Sequence, residues 1–97
     1  MRMMMKVIMP AEPANRALKE GILQKTVNHF VESAKPESSY FTTIHGQRTG
    51  MFFFDMKEST AMPTLVEPFF QNLNAEVYIT PVMDLAELRT GLEKLPK

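Results

Sequence analysis

At 97 residues the chain is long enough for one domain with a modest core, of a size that buries roughly 60–70% of its unfolded surface. Its 11 Lys and Arg balance 11 Asp and Glu without a basic run, which argues against a nucleic-acid or anionic-membrane partner. It has no cysteine, so disulfides, thiolate catalysis and Cys-based zinc sites are excluded.

The opening run is interrupted by Lys6 and stops at Pro10 with no small-residue cleavage site, unlike a signal peptide. No stretch approaches the roughly 20 apolar residues of a membrane span. A soluble, cytoplasmic, bacterial protein is expected, folded as a single domain over residues 1–97. The abundant Met residues read as fillers of irregular core gaps.

Arg2 to Met9 alternates, with Met3, Met5, Val7 and Met9 on one face and Arg2, Met4, Lys6 and Ile8 on the other, as a strand does. Pro10 to Pro13 breaks it and opens a helix. From Ala14 to Ala34 the apolar positions trace one slowly drifting helical stripe, with Gly21 marking a kink or a close neighbour. Lys35-Pro36 ends it. Tyr40–His45 and Met51–Met56 then read as a hairpin joined by the loop Gly46-Gln47-Arg48-Thr49-Gly50. The first arm is rich in Ser and Thr, as an edge strand is; the second is apolar on both faces, as a central strand is.

A second helix spans Met62, Leu65, Val66, Phe69, Phe70 and Leu73. Pro68 lies inside that pattern, where a proline costs about 3 kcal/mol. Thr64-Leu65-Val66-Glu67 has capping-box form and favours a late start that moves Pro68 into the first turn; a helix from about Ala61, kinked at Pro68, is the alternative. Asn74-Ala75 hands over to an alternating strand, Glu76 to Met83. Asp84-Leu85-Ala86-Glu87 is a second capping box, and Leu85, Leu88, Leu92 and Leu95 continue as a short C-terminal helix.

The element order predicts an α+β, ferredoxin-like βαββαβ fold: a four-stranded antiparallel sheet, two helices on one face and a short C-terminal helix. Right-handed crossovers place the first and third strands centrally. The other sheet face reads mixed, with Met4, Ile8, Tyr78 and Val82 beside Arg2, Lys6, Glu76 and Thr80. Leaving bulky apolar side chains in water forgoes about 1.5–3 kcal/mol each, so a two-fold, sheet-to-sheet homodimer is expected.

The segment from Gly46 to Asp55, together with Glu67-Pro68-Phe69-Phe70, Asn74-Ala75-Glu76-Val77 and Pro81-Val82-Met83, resembles small bacterial proteins of the dimeric α/β-barrel superfamily. That resemblance implies the same fold and dimer. It brings a range of activities, from muconolactone isomerases, quinone-forming monooxygenases and haem-degrading members to ligand-sensing domains. None of their catalytic motifs is matched residue by residue, so no active site is carried over.

Four side chains are candidates for ligand binding: Tyr40, His45, Arg48 and Asp55. A pairing of His45 with Met51 and of Phe41 with Asp55 would put His45 and Asp55 on one face, but about 13 Å apart, too far for a dyad. Arg48 offers a planar fork for a carboxylate or phosphate, and Tyr40 a phenol for a ligand carbonyl. His29 reads as a boundary residue of its helix. There is no metal-ligand spacing, glycine-rich phosphate loop or nucleophile elbow, and no cofactor is expected. The expected function is a noncatalytic homodimeric module for a small apolar molecule or a protein partner. The alternative is a cofactor-independent enzyme acting on an aromatic or quinone-like compound in a cleft between helices and sheet.

Overall fold

The computed structural model describes residues 1–97. Strand β1 (Arg2–Met9) alternates as its sequence predicts, with Met3, Met5, Val7 and Met9 buried and the intervening residues half-buried. Helices α1 (Ala11–Lys19) and α2 (Ile22–Ala34) follow. Next come β2 (Ser38–Ile44) and β3 (Gln47–Asp55). A 3₁₀ turn at Ser59–Ala61 leads into α3 (Met62–Leu73), then β4 (Glu76–Pro81) and α4 (Leu85–Glu93). The strands form one antiparallel sheet in the order β2-β3-β1-β4, so the first and third strands are central as expected.

Three local expectations are corrected. The first long helix is two helices, because Gly21 adopts φ +77° and interrupts the i→i−4 ladder. Its N–H turns back to the Leu18 carbonyl (3.2 Å), while its own carbonyl accepts from Lys25 to begin α2. The apolar stripe runs through this break because both helices bury against one sheet face. Ala14 and Ala17, both fully covered, let α1 approach closely.

The hairpin has a two-residue turn rather than a five-residue loop. His45 (φ 52°) and Gly46 (φ 75°) are both left-handed, as a type I′ turn requires, and Gln47 to Gly50 belong to β3. The register pairs Tyr40 with Met51, Phe41 with Gly50 and Ile44 with Gln47. That differs by an odd number of residues from the pairing of His45 with Met51, so the face-sharing of His45 and Asp55 is lost. His45 lies in the turn, and Asp55 pairs with Arg2 at the far end of β3.

Helix α3 starts at Met62 rather than after Thr64, and Pro68 lies in its interior. Thr64 and Glu67 make no cap. An early start lets Met62 and Leu65 pack on the core ahead of Val66, Phe69 and Leu73. The helix ends at Asn74, whose φ of 51° supplies the left-handed exit.

The core lies between the helices and one sheet face. Phe30 of α2 is its centre, with ring centroids 4.7 Å from Phe52, 5.5 Å from Phe54 and 5.6 Å from Phe69. Polar groups inside are satisfied: Thr26 Oγ1 donates to the Ile22 carbonyl (2.7 Å) and accepts from Asn72 Nδ2 (3.0 Å), tying α2 to α3. Beyond β4, α4 carries the expected reciprocal cap between Asp84 and Glu87. None of its residues is buried, and Leu85, Leu88 and Leu92 all stand in solvent. Its start is held by Arg2, which reaches Glu37 (2.8 Å) and Glu87 (2.6 Å). No helix is long and apolar enough to cross a membrane.

Candidate functional site

The four candidate side chains are spread over the sheet. Tyr40 projects from β2 on the face away from the helices, 61% exposed, its ring edge-on to Phe53 at 6.4 Å. His45 is exposed at the hairpin tip. Asp55 ends β3 and accepts a 2.7 Å hydrogen bond from the Met1 ammonium, which holds its carboxyl below the usual range. Arg48 lies on the helix face, paired with Met9 on one side and Thr43 on the other. Arg48 and Asp55 stand seven residues apart on one strand, about 23 Å. No hydrogen bond or ion pair joins any two of the four.

Tyr40 borders a shallow depression with Arg2 and Phe53, and Asp55 another with Phe54, Met56 and Leu65; Arg48 lines a cleft between helix and hairpin. Between α2 and the β2–β3 hairpin the helices leave part of the sheet uncovered, opening a space of about 400 Å³. Met9, Leu23, Val27 and Phe41 give it apolar walls; Arg48, Gln24, Asn28, Thr42 and Thr49 bring the polar groups. Apolar walls with a small set of polar groups are the usual composition of a small-molecule site. A further depression of similar volume, between α1 and α3, is walled mainly by Arg16, Glu20, Gln71, Asn72 and Asn74, with Ala17 and Ile22 its hydrophobic residues.

The cleft follows from local sequence. Leu23 and Val27 are one helical turn apart and so share a face of α2. Phe41 lies opposite Gly50, and the Gly50 hydrogen is what admits the rings. A Cβ there would stand 3.1 Å from Phe52 Cε2 and 3.4 Å from Phe41 Cε1. Phe41 thus lies edge-on to Phe52 at 5.7 Å while staying 60% exposed at the cleft mouth. The break at Gly21 brings Asn15 of α1 to the same end of the sheet, where its Oδ1 accepts from Arg48 Nη1 at 2.9 Å. Arg48 is half-buried and has no carboxylate within ion-pairing distance.

Sequence reasoning missed Phe41, Leu23, Val27, Gln24 and Asn28. The available signal was an aromatic residue within a Ser/Thr-rich edge strand, but its facing depends on the hairpin register. No cluster of three or more His, Asp or Glu side chains is placed to hold a metal ion.

No protein-family model matches the chain, and no curated protein matches it in sequence.

Proposed function

We propose that the protein is a noncatalytic binding module of the dimeric α/β-barrel type, a sheet-to-sheet homodimer that takes a small apolar molecule into the cleft between α2 and the hairpin. The observation that carries this reading is the cleft itself, with aliphatic and aromatic walls and one half-buried cation. Element order and strand order β2-β3-β1-β4 agree with that superfamily. Acid–base chemistry needs polar groups that converge, and those of this chain are dispersed.

The dimer is supported by the sheet face away from the helices. Met4, Ile8, Met51 and Phe53 are only half-covered there, and Tyr40 and Tyr78 stand well exposed. Four strands about 4.8 Å apart, paired over six to eight residues, present a face of roughly 400–500 Å². Two such faces bury on the order of 1,000 Å², the lower bound of a specific interface. The exposed leucines of α4 add apolar area beyond the sheet.

Two measurements test the proposal. A titration with neutral 2-naphthamide, followed by ¹H–¹⁵N correlation spectra, is expected to saturate with shifts at Leu23, Val27, Phe41 and Gly50. Sedimentation equilibrium is expected to give a dimer that Phe53→Lys converts to monomer. Shifts confined to the open sheet face would overturn the cleft. A monomer at several hundred micromolar would overturn the dimer.

A further inference from the structure

We infer that the cleft is built for a molecule with a flat apolar body and one negative charge, an aromatic or alicyclic carboxylate, received by Arg48. This rests on the binding function proposed above and names its ligand class.

The arginines of this chain are not equivalent. Arg2 is saturated by Glu37, Asp84 and Glu87, Arg16 stands 3.9 Å from Glu12, and Arg89, which has no ion pair either, is exposed on α4 and lines no cleft. Arg48 is half-buried against apolar walls, and its side chain has one protein partner, the neutral amide oxygen of Asn15. That contact fixes the guanidinium plane without neutralising it and leaves most of its five donors free. A partly desolvated cation without a counter-ion is unfavourable. A carboxylate entering the cleft relieves that cost and pairs with the fork in two parallel hydrogen bonds.

The lining residues define the rest of the ligand. Arg48 is the only charged residue among them, so the site matches one negative charge better than a phosphate dianion. Phe41 pairs with Gly50 and Thr43 with Arg48, so the aromatic wall and the cation are one two-residue step apart, about 7 Å along the strand. A carboxylate on one or two fused rings spans that distance. Gln24 and Asn28, on the α2 side, supply amide groups for a ring substituent.

The test compares 2-naphthoate with 2-naphthamide, which share a ring system and differ in charge. Both are titrated into the full chain and followed by ¹H–¹⁵N correlation spectra, which report fold, site and affinity together. Naphthoate is expected to bind at least tenfold more tightly, consistent with a charge-assisted, bidentate contact. Arg48→Gln is expected to abolish the preference, with naphthoate losing at least tenfold more affinity than the amide. Arg48→Lys is expected to retain part of the preference, and it carries the test where the Gln variant does not fold. Equal affinities for the two probes in the wild-type protein would overturn the inference while leaving the cleft reading intact. So would an equal loss of both in Arg48→Gln. Failure of both probes to saturate, or shifts away from the cleft, would overturn the cleft reading and this inference with it.

Discussion

The two faces of the sheet come from the same four strands and meet different fates. On the helix side Met5, Val7, Phe52 and Phe54 are sealed beneath Phe30 and Phe69. On the other side Met4, Lys6, Met51 and Phe53 are only half-covered. The Lys6 ammonium lies over the Tyr78 ring, 5.3 Å from its centroid. One face is thus held by close packing, where every methylene counts. The other is a compromise between greasy area and solvation, which a second copy would shift.

The sharpest way to break this contrast is to truncate neighbours. Phe52 and Phe53 are adjacent in sequence and face opposite ways. Phe52→Ala is expected to cost about 3–5 kcal/mol in urea unfolding, since the rings of Phe30, Phe41 and Phe69 surround a void that cannot close. Phe53→Ala is expected to cost under about 1 kcal/mol in dilute solution, rising with protein concentration if a second copy covers the open face as proposed. Equal costs for the two variants would mean that the faces are not energetically distinct.

Gly50→Ala probes the helix side from the opposite direction, by adding volume. The new methyl would crowd the Phe52 ring at 3.1 Å and press towards Phe41. A loss of about 1–3 kcal/mol is expected, together with weaker binding of 2-naphthamide, because Phe41 must move at the cleft mouth. A neutral outcome in both measurements would show that the rings have slack and that the cleft does not depend on this glycine.

What was legible in the sequence, and what was not, separates along the same line. The bounds of β1, the strand order and the Asp84 cap follow from alternation, connection rules and a four-residue motif, all of them local or topological. The hairpin was misread because Gly46 and Gly50 look alike as turn formers. Gly46 is needed for its positive φ; Gly50 sits inside a strand and is needed for the approach of two rings. Which of the two a glycine serves is decided by tertiary neighbours. The cleft inherits that ambiguity, since a one-residue slip would send Phe41 and Arg48 to the other face. Of the four candidates only Arg48 lines it, and its isolation from every carboxylate is a property of the folded molecule. The break at Gly21 was hidden for a similar reason: periodicity records which face is buried, and that face is shared by α1 and α2.

A smaller change tests the register directly. His45 occupies the first central position of a type I′ turn with φ 52°, a conformation that Asn tolerates better. His45→Asn is expected to stabilise the protein by roughly 0.5 kcal/mol, and Gly46→Ala to destabilise it by about 1 kcal/mol. Were the turn the five-residue loop from Gly46 to Gly50, His45 would end a strand and His45→Asn would not stabilise, and the assignment of faces would fail with it.

The least effect is expected at Asp55, where the open face ends. Its folded-state carboxyl is lowered, first by the hydrogen bond from the Met1 ammonium and then by that charge. The pair therefore adds stability above the ordinary carboxyl value of about 3.9, and that contribution is lost as pH falls through the lower folded-state value. The melting temperature of Asp55→Asn is expected to lie slightly below wild type at pH 6 and to converge with it near pH 2. Salt sharpens the comparison between the faces. An exposed pair is screened within a Debye length of about 10 Å at 0.1 M and weakens further at 1 M. If a second copy covers the open face, part of the difference survives high salt at high protein concentration; if that face stays wet, the difference disappears at every concentration.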